Sequence, residues 1–317
     1  MKNYLEQALR DLDLSPVLMD IGASGEPPPI WETLAPSSRY IGFDPDLREI
    51  HIDRLTQYRS STIFNEVITE KDGDQIPFYL TKSPFCSTTL DPSPLTTAHW
   101  LERDLFLVQS HTQFRATTIN KVMERLKLSN LDWIKLDTQG TDLRLLNSIA
   151  PSAFARMLAI DTEPGLIHIY EGEDMFSDVH RHLSSQGFWL SHLTMGGFYR
   201  MRRDTLETMH IDEPYVRRAV RKSPAYFEAR YLRTLEWLAD QGVPSRDYLL
   251  LWIFALTDNQ LGFALDLNVA FERKFGITAA SQQLKAATVQ MLAASHGGLG
   301  KQVMRRLRST VGRLLRA

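Results

Sequence analysis

Apolar residues come in short runs along the first two thirds of the chain and recur at helical spacing along the last third. Five short runs bounded by turn-forming residues predict buried strands, at residues 17–21, 39–44, 61–69, 131–137 and 157–163. Apolar residues three and four positions apart predict helices at residues 118–128, 140–149 and 174–186, each following one of these strands. Strands that alternate with helices in this way predict an α/β fold with a doubly wound, mostly parallel sheet.

Two glycine-containing segments predict hairpins. An Asp-Gly turn at residues 71–74 predicts a strand returning through 76–80, and Gly196-Gly197 predicts a closing hairpin of strands 188–193 and 197–201. After residue 204 the strand signals stop, and helical spacing continues over residues 213–242, 245–256, 259–275 and 278–295. The pattern thus predicts an α/β domain over 1–204, a helical domain over 205–300 and a terminal segment over 301–317.

Composition narrows the class of protein. The formal net charge is −2, so no overall positive field attracts nucleic acid, and we expect no nucleic-acid partner. Cys86 is the single cysteine, which excludes a disulfide framework and favours a reducing, cytoplasmic location. The N-terminus has no apolar segment typical of a signal peptide, and the longest apolar run, 248–256, is too short to span a membrane.

The last 17 residues differ from the rest of the chain, because they contain six lysine or arginine residues and no acid. Their apolar residues fall on one helical stripe, at Val303, Leu307, Val311 and Leu314. A basic amphipathic helix over 301–317 is typical of peripheral contact with anionic lipid at the inner membrane face, or with an acidic partner. Packing against the helical domain is an equally good interpretation of the same pattern.

Residues 19–31 read MDIGASGEPPPIW, a glycine turn that follows a predicted strand. A dinucleotide turn has the pattern G-x-G-x-x-G and holds pyrophosphate on backbone N–H groups and a helix N-terminus. Here Asp20 replaces the first glycine, ahead of Gly22 and Gly25, and three prolines remove N–H donors from the predicted helix. The turn formed by Gly22, Ala23, Ser24 and Gly25 therefore suits a nucleoside cofactor without phosphate, and S-adenosylmethionine is the cofactor we expect.

Acidic residues follow several predicted strands and should meet at one edge of the sheet. Asp44 ends the second strand, 19 residues after Gly25, and is placed to accept hydrogen bonds from both ribose hydroxyls. Asp20 is expected to favour the cationic aminoacyl end of the cofactor, directly or through water. The alternative is a tight turn that binds nothing.

Three residues are candidates for catalysis. A hydroxyl acceptor needs a base within hydrogen-bond reach, and Asp137 and Glu163 end neighbouring strands, with His168 in the following loop. Their structural alternatives are a helix N-cap for Asp137, a solvated strand end for Glu163 and a surface loop for His168. Strand alternation places Lys135 on the same face as Asp137, which predicts an ion pair. The absence of histidine ligand spacing leads us to expect no metal, although Asp137 with Glu163 or Asp161 is an alternative ion site.

Seven segments together resemble the FkbM family of S-adenosylmethionine-dependent methyltransferases. They lie in family order at residues 19–25, 42–46, 64–67, 86–90, 132–140, 160–163 and 169–172. The resemblance covers residues 15 to 203 and implies a class I methyltransferase fold and O-methylation of a sugar or similar hydroxyl. It implies cofactor contacts at Asp20, Gly22, Gly25 and Asp44, with Asn65 and Glu66 near the adenosine and Ser87 lining the site.

The chain departs from the family pattern at three positions. The family often has asparagine at the position of Ser24 and glutamate at the positions of Gln139 and Asp142. The first functional hypothesis is an S-adenosylmethionine-dependent O-methyltransferase acting on a sugar or glycan hydroxyl. The loss of an acid at Gln139 leaves open a non-catalytic cofactor-binding or assembly protein. A nucleic-acid or protein methyltransferase is a third hypothesis, weakened because no aromatic residue follows Asp137 to stack a flipped base.

Overall fold

The computed structural model describes residues 2–46, 48 and 52–295, so the predicted terminal helix over 301–317 lies outside the described residues. These residues form two compact units. The α/β unit comprises residues 16–29 and 38–233, and the helical unit comprises residues 2–15, 30–37 and 234–295. The predicted boundary at residue 204 falls inside the α/β unit.

Among the described residues the α/β unit contains ten strands: β1 (Val17–Ile21), β2 (Arg39–Phe43), β3 (Ser60–Phe64), β4 (Val67–Ile68), β5 (Gly73–Thr81), β6 (Val108–Thr117), β7 (Trp133–Leu136), β8 (Ala159–Thr162), β9 (Phe188–Phe198) and β10 (Ser223–Arg233). The helices of the described residues are α1 (Lys2–Asp11), α2 (Pro94–Thr97), α3 (Ile119–Arg125), α4 (Asp142–Ser148), α5 (Pro151–Phe154), α6 (Phe176–Ser185), α7 (Arg203–Met209), α8 (Glu213–Ala219), α9 (Leu235–Asp240), α10 (Ser245–Thr257), α11 (Leu261–Phe275) and α12 (Ala279–Ser295).

Seven strands form the main sheet in the order β3-β2-β1-β7-β8-β10-β9. The first five are parallel, and β10 runs antiparallel to both β8 and β9. The central strands are nearly all apolar, as expected for strands covered on both faces, and their side chains form one core that includes Met19, Ile41, Ile134, Leu136 and Ile160. The predicted doubly wound, mostly parallel α/β fold is therefore confirmed.

The prediction of a closing hairpin at Gly196-Gly197 is wrong. Both glycines lie inside the continuous strand β9, which pairs with β10. A Cβ on Gly196 would lie 2.1 Å from the Tyr226 ring, and one on Gly197 would lie 2.0 Å from the Ser223 carbonyl oxygen. These glycines permit close approach across a strand pair and do not form a turn. The prediction of one helix over 213–242 is also wrong, because residues 223–233 form β10.

A second, three-stranded sheet has the order β4-β6-β5. The prediction of one strand over 61–69 is wrong, because β3 belongs to the main sheet and β4 to this one. The hairpin predicted at the Asp-Gly sequence is not formed, because Gly73 lies inside β5 and β5 pairs with β6 instead of the preceding strand. The alternating exposure along β6 is typical of a strand with one solvated face.

After the glycine turn the chain forms two short 3₁₀ helices, Pro29–Thr33 and Ala35–Ser37, so the α-helix expected after the prolines is not formed. In the helical unit, α10, α11 and α12 match the predicted segments within three residues at each end. The side chain of Trp252 is fully buried there and donates from Nε1 to Thr288 Oγ1 at 2.9 Å. None of the helices in the described part of the chain has the length and apolar character needed to cross a membrane.

Candidate active site

A crevice of about 600 Å³, partly open to solvent, lies at the carboxyl ends of β1, β2 and β7. Six of the lining residues are candidate site residues predicted from the sequence: Gly22, Ser24, Asp44, Glu66, Ser87 and Asp137. Ligands of open parallel sheets bind at this edge, where the connections from neighbouring strands run in opposite directions. The described residues therefore place the predicted cofactor turn and the predicted acid Asp137 around one space.

The glycine turn holds the ends of three strands together. Gly22 has φ +83°, and a Cβ there would lie 2.0 Å from the Asp137 carbonyl oxygen, so only glycine permits this approach of β1 to β7. The amides of Gly22 and Ala23 both donate to the Phe43 carbonyl oxygen, at 2.9 and 3.0 Å. These two N–H groups are consumed within the protein, and they are not available to a phosphate.

The second half of the turn presents polar and aromatic groups to the crevice. Ser24 Oγ is buried and has no hydrogen-bond partner among the residues that the structure describes. Gly25 has φ +84°, and the Phe85 ring lies close to the position that a Cβ would occupy. Phe85 also lines the crevice and is 54 % exposed, and no sequence signal singled it out. A buried hydroxyl without a partner and an exposed aromatic ring are both suited to contact with a ligand.

Asp44 follows β2 and is 5 % exposed. Its Oδ1 accepts a hydrogen bond from the Asp46 amide at 2.7 Å, which leaves the other acceptor positions of the carboxylate for a ligand in the crevice. Burial raises the pKa of Asp44 to about 7. Asn65 does not line the crevice, because its side-chain amide donates to the carbonyl oxygens of Asp44 and Pro45 and fixes this loop.

Glu66 and Ser87 line the crevice as the resemblance implies, but both also have structural partners. Glu66 forms a two-bond ion pair with Arg125 at 3.1 and 3.0 Å. Ser87 Oγ accepts from the Thr81 amide at 3.1 Å and donates to Asp46 Oδ2 at 3.3 Å. These contacts hold the two side chains at the crevice wall.

Asp20 lies below the crevice rather than in its lining. It is 2 % exposed, accepts from the Tyr40 hydroxyl at 2.9 Å, and pairs with Lys135 Nζ at 3.3 Å. Burial raises the pKa of Asp20. Because its partners are protein groups, its direct role in the structure is to hold Lys135 beneath the glycine turn.

Asp137 accepts from two side chains at the floor of the crevice. Lys135 Nζ lies 3.3 Å from Asp137 Oδ2, which confirms the predicted ion pair, and Gln139 Nε2 donates to Oδ1 at 2.7 Å. Gln139 has φ +55°, and its Oε1 lies 2.8 Å from the Tyr170 hydroxyl. Gln139 therefore holds the Asp137 carboxylate in one orientation, with a buried tyrosine behind it.

Glu163 follows β8, which pairs with β7, the strand that Asp137 follows. Burial, and then the charge of Asp137, raise the pKa of Glu163 well above its ordinary value, which favours the protonated form of this carboxyl group. The alternative of a solvated strand end does not hold for Glu163. His168 is exposed and makes no hydrogen bond to any residue within the described ranges, as expected for the surface-loop alternative.

Asp142 joins the ends of β7 and β8, a role that the sequence analysis did not assign. Its Oδ1 accepts from Thr138 Oγ1 at 2.6 Å, and its Oδ2 accepts from the Glu163 amide at 2.9 Å. Burial raises the pKa of Asp142 to about 7. The helix that follows has Thr141 at its N-cap, so Asp137 is not the N-cap residue.

Two further candidates have structural explanations. Cys86 is buried, and burial raises the pKa of its thiol to about 12, which agrees with a packing role. Asp161, the alternative metal ligand, forms a two-bond ion pair with Arg230 at 2.8 and 2.9 Å. No group of three or more His, Cys, Asp or Glu side chains in the described part of the chain is arranged to hold a metal ion.

A seven-stranded sheet of this order, with one antiparallel strand near its edge and a crevice at the glycine turn, defines a Rossmann-like methyltransferase. Residues 27–190 match the family model of the methyltransferase FkbM domain. The match covers about half of the chain, and the protein belongs to this family. No curated protein shows a significant match to the chain.

Proposed function

We propose that this protein is an S-adenosylmethionine-dependent O-methyltransferase that acts on a hydroxyl of a sugar or glycan. The cofactor assignment rests on one observation, which is how the backbone of the glycine turn is hydrogen-bonded and continued. The Gly22 and Ala23 amides are bonded to Phe43, and no α-helix follows the turn. Both features argue against a pyrophosphate cofactor, which is held by free backbone amides and a helix N-terminus.

The residues around the crevice fit the proposed cofactor. The unpartnered Ser24 hydroxyl supports a polar ligand at the turn, and the Asp44 carboxylate suits the two ribose hydroxyls. Phe85 offers an aromatic face for the base, and Glu66 lines the same crevice. When bound, S-adenosylmethionine supplies an electrophilic methyl group, so the protein needs no nucleophile of its own.

The remaining chemistry is removal of a proton from the acceptor hydroxyl. Asp137 is the proposed base, because it lines the crevice and is oriented from two sides by Lys135 and Gln139. Glu163 is the proposed orienting carboxyl group beside this base, and burial and the charge of Asp137 raise its pKa. The Lys135 ammonium offsets the negative charge that Asp20 and Asp137 bring to the floor of the crevice.

The first experiment is calorimetry of the full chain with S-adenosylmethionine and, separately, with NAD. We expect saturable binding of the first ligand and none of the second. Tight binding of NAD, or no binding of S-adenosylmethionine at saturating concentration, would contradict the cofactor assignment.

The second experiment separates an enzyme from a cofactor-binding protein without catalysis. Incubation with methyl-labelled S-adenosylmethionine and fractionated cell extract should transfer label to a carbohydrate fraction, and the variant Asp137→Asn should bind cofactor but transfer none. Cofactor binding with no transfer to any fraction would favour the non-catalytic alternative, for which Gln139 is the motivating residue. Label in the nucleic-acid or protein fraction would contradict the proposed acceptor class.

A further inference from the structure

The segment between β9 and β10, residues 199–222, carries a concentration of positive charge that the proposed function does not yet use. It contains seven arginine or lysine residues and four acids, although the whole chain has a net charge of −2. We refer to it as the basic insertion. It includes α7 and α8, and its apolar side chains pack around Leu101, Tyr199, Leu206 and Val216.

Several contacts make the basic insertion a fixed part of the α/β unit. The Tyr199 amide donates to Glu102 Oε2 at 3.0 Å, and the Tyr199 hydroxyl donates to the Arg217 carbonyl oxygen at 2.8 Å. Arg203 pairs with Asp104 and Glu213, and Arg217 pairs with Glu102 and Glu213. Two of the seven cations are therefore used to hold the segment in place.

The other five cations are exposed, and no carboxylate of the described residues lies within ion-pairing distance of them. They are Arg200, Arg202, Arg218, Arg221 and Lys222. Arg202 contacts His99, and Lys222 Nζ lies 5.6 Å from the centre of the Tyr199 ring. The exposed side chain of Tyr215 lies on the same helix as Arg218. This surface offers anion-binding groups that the protein itself does not neutralise.

The sheet topology places the basic insertion at the edge that carries the crevice. Strand β9 runs parallel to β8, so its last residue, Phe198, lies at the same edge of the sheet as Glu163. Strand β10 begins at that edge. The Phe227 amide donates to the Pro164 carbonyl oxygen, and the Leu166 amide donates to the Ala225 carbonyl oxygen. Lys222 precedes Tyr226 by four residues, about 14 Å of extended chain.

Tyr226 lies between the basic insertion and the carboxyl pair formed by Asp137 and Glu163. Tyr226 forms an isolated antiparallel bridge with Gly165, two residues after Glu163. Burial, and then the charge of Glu163, raise the pKa of Tyr226 to about 12. Among the described residues that line the crevice there are three acids, Asp44, Glu66 and Asp137, and no lysine or arginine, so the lining itself offers no cation to an anionic acceptor. Exposed cations at the same edge attract such a molecule and orient its anionic end away from the crevice.

We propose that the basic insertion is the docking surface for an extended glycan acceptor that carries a phosphate group. The phosphate binds to Arg218, Arg221 and Lys222, and a hydroxyl on a distant sugar unit reaches Asp137. This inference rests on the proposed function, because it names the acceptor class of that same site. The acceptor is longer than a single sugar, since one molecule must bridge the cations and the carboxyl pair.

The test compares two triple variants of the full chain, with inorganic pyrophosphate as the probe. The first, Arg218→Gln with Arg221→Gln and Lys222→Gln, removes three charges from the basic insertion. The second, Arg59→Gln with Arg115→Gln and Lys127→Gln, removes three exposed charges elsewhere in the α/β unit. Calorimetry at about 50 mM salt should show a roughly tenfold loss of pyrophosphate affinity in the first variant and less than about twofold in the second.

A single variant, Arg221→Gln, should lose about threefold in affinity, which keeps the test informative if the triple variant unfolds. Equal affinities in the two triple variants would overturn the proposal. Displacement of pyrophosphate by S-adenosylmethionine would also overturn it, because the anion would then lie in the crevice. Loss of binding to phosphatidylglycerol vesicles without loss of pyrophosphate affinity would assign the surface to a membrane instead.

The two proposals fail in different ways. If the proposed cofactor is wrong, neither the variants nor the unmodified chain bind S-adenosylmethionine, whatever happens with pyrophosphate. If the cofactor is right but the proposed catalysis is wrong, S-adenosylmethionine binds and no fraction receives label. If only the acceptor inference is wrong, all chains bind S-adenosylmethionine equally and the first triple variant keeps its pyrophosphate affinity.

Discussion

The titration of Asp44 provides the sharpest prediction for the cofactor site. Burial raises its pKa to about 7, and the ionised carboxylate is the form that accepts hydrogen bonds from two ribose hydroxyls. If only the ionised form binds, the apparent dissociation constant is multiplied by 1 + 10^(7 − pH), a relation that follows from proton linkage. Affinity for S-adenosylmethionine should therefore rise roughly tenfold between pH 6 and pH 8.

The variant Asp44→Asn keeps the shape of the side chain and removes its charge. Its Oδ1 still accepts from the Asp46 amide, so the loop after β2 keeps that contact. Loss of a hydrogen bond to a charged group costs about 2 kcal/mol, which corresponds to a roughly thirtyfold weaker affinity at pH 8. The variant should also lose the part of the pH dependence that Asp44 contributes, while any titration of the ligand itself remains.

Calorimetry at pH 6, 7 and 8 on the unmodified chain, on Asp44→Asn and on a control variant tests this reasoning. Asp178→Asn is a suitable control, because Asp178 is an exposed acid on α6 that pairs with Arg181. The assignment of Asp44 to the ribose would be refuted by equal affinities of the unmodified chain and Asp44→Asn. Identical pH slopes in those two proteins would refute the titration argument.

Three further predictions concern the turn, the carboxyl pair and a buried acid. Gly22→Ala should lower the free energy of unfolding by about 3 kcal/mol in urea titrations, because its Cβ meets the Asp137 carbonyl at a positive φ. Glu163→Gln keeps the shape of the side chain, so it should keep the cofactor affinity and lose less label transfer than Asp137→Asn. Burial raises the pKa of Glu173 to about 7 from an unfolded value near 4.5, so the folded state binds more protons between those values. The free energy of unfolding should thus fall as pH rises from about 4.5 to 7, and Glu173 contributes up to about 3 kcal/mol to this fall. The variant Glu173→Gln should remove that contribution to the pH dependence of the unfolding free energy, measured by urea titration at pH 5 and 7.5.

Each of these predictions has a defined contrary result. Gly172 also has a positive φ, but apart from its chain neighbours no atom of the described residues lies within 4 Å of the position that its Cβ would occupy, so Gly172→Ala should cost only about 1 kcal/mol. Equal losses at the two glycines would mean that the contact with Asp137 is unimportant. Full label transfer by Asp137→Asn would exclude it as the base, and an unchanged pH slope in Glu173→Gln would show that other groups dominate the pH dependence.

The order of residues along the chain was enough to locate the central strands and the candidate acids at their ends. Periodicity identified β1, β2, β7 and β8, because strands covered on both faces need continuous apolar runs. Since the carboxyl ends of parallel strands meet at one edge, spacing alone predicted that Asp44 and Asp137 lie at one crevice, and both line it. The helices α10, α11 and α12 were also predictable from helical spacing.

The edge of the sheet and the floor of the crevice, in contrast, are built by contacts that appear only in the folded chain. Strand β10 follows a segment with helical spacing, and the glycines of β9 serve contacts with Tyr226 and Ser223 that no local signal contains. The same holds for Asp20, whose partners Tyr40 and Lys135 are distant in sequence, and for Phe85, which reaches Gly25 from a separate loop. Local periodicity reports which residues are buried, whereas the partners of a buried charge or a strand edge depend on contacts between segments far apart in the chain.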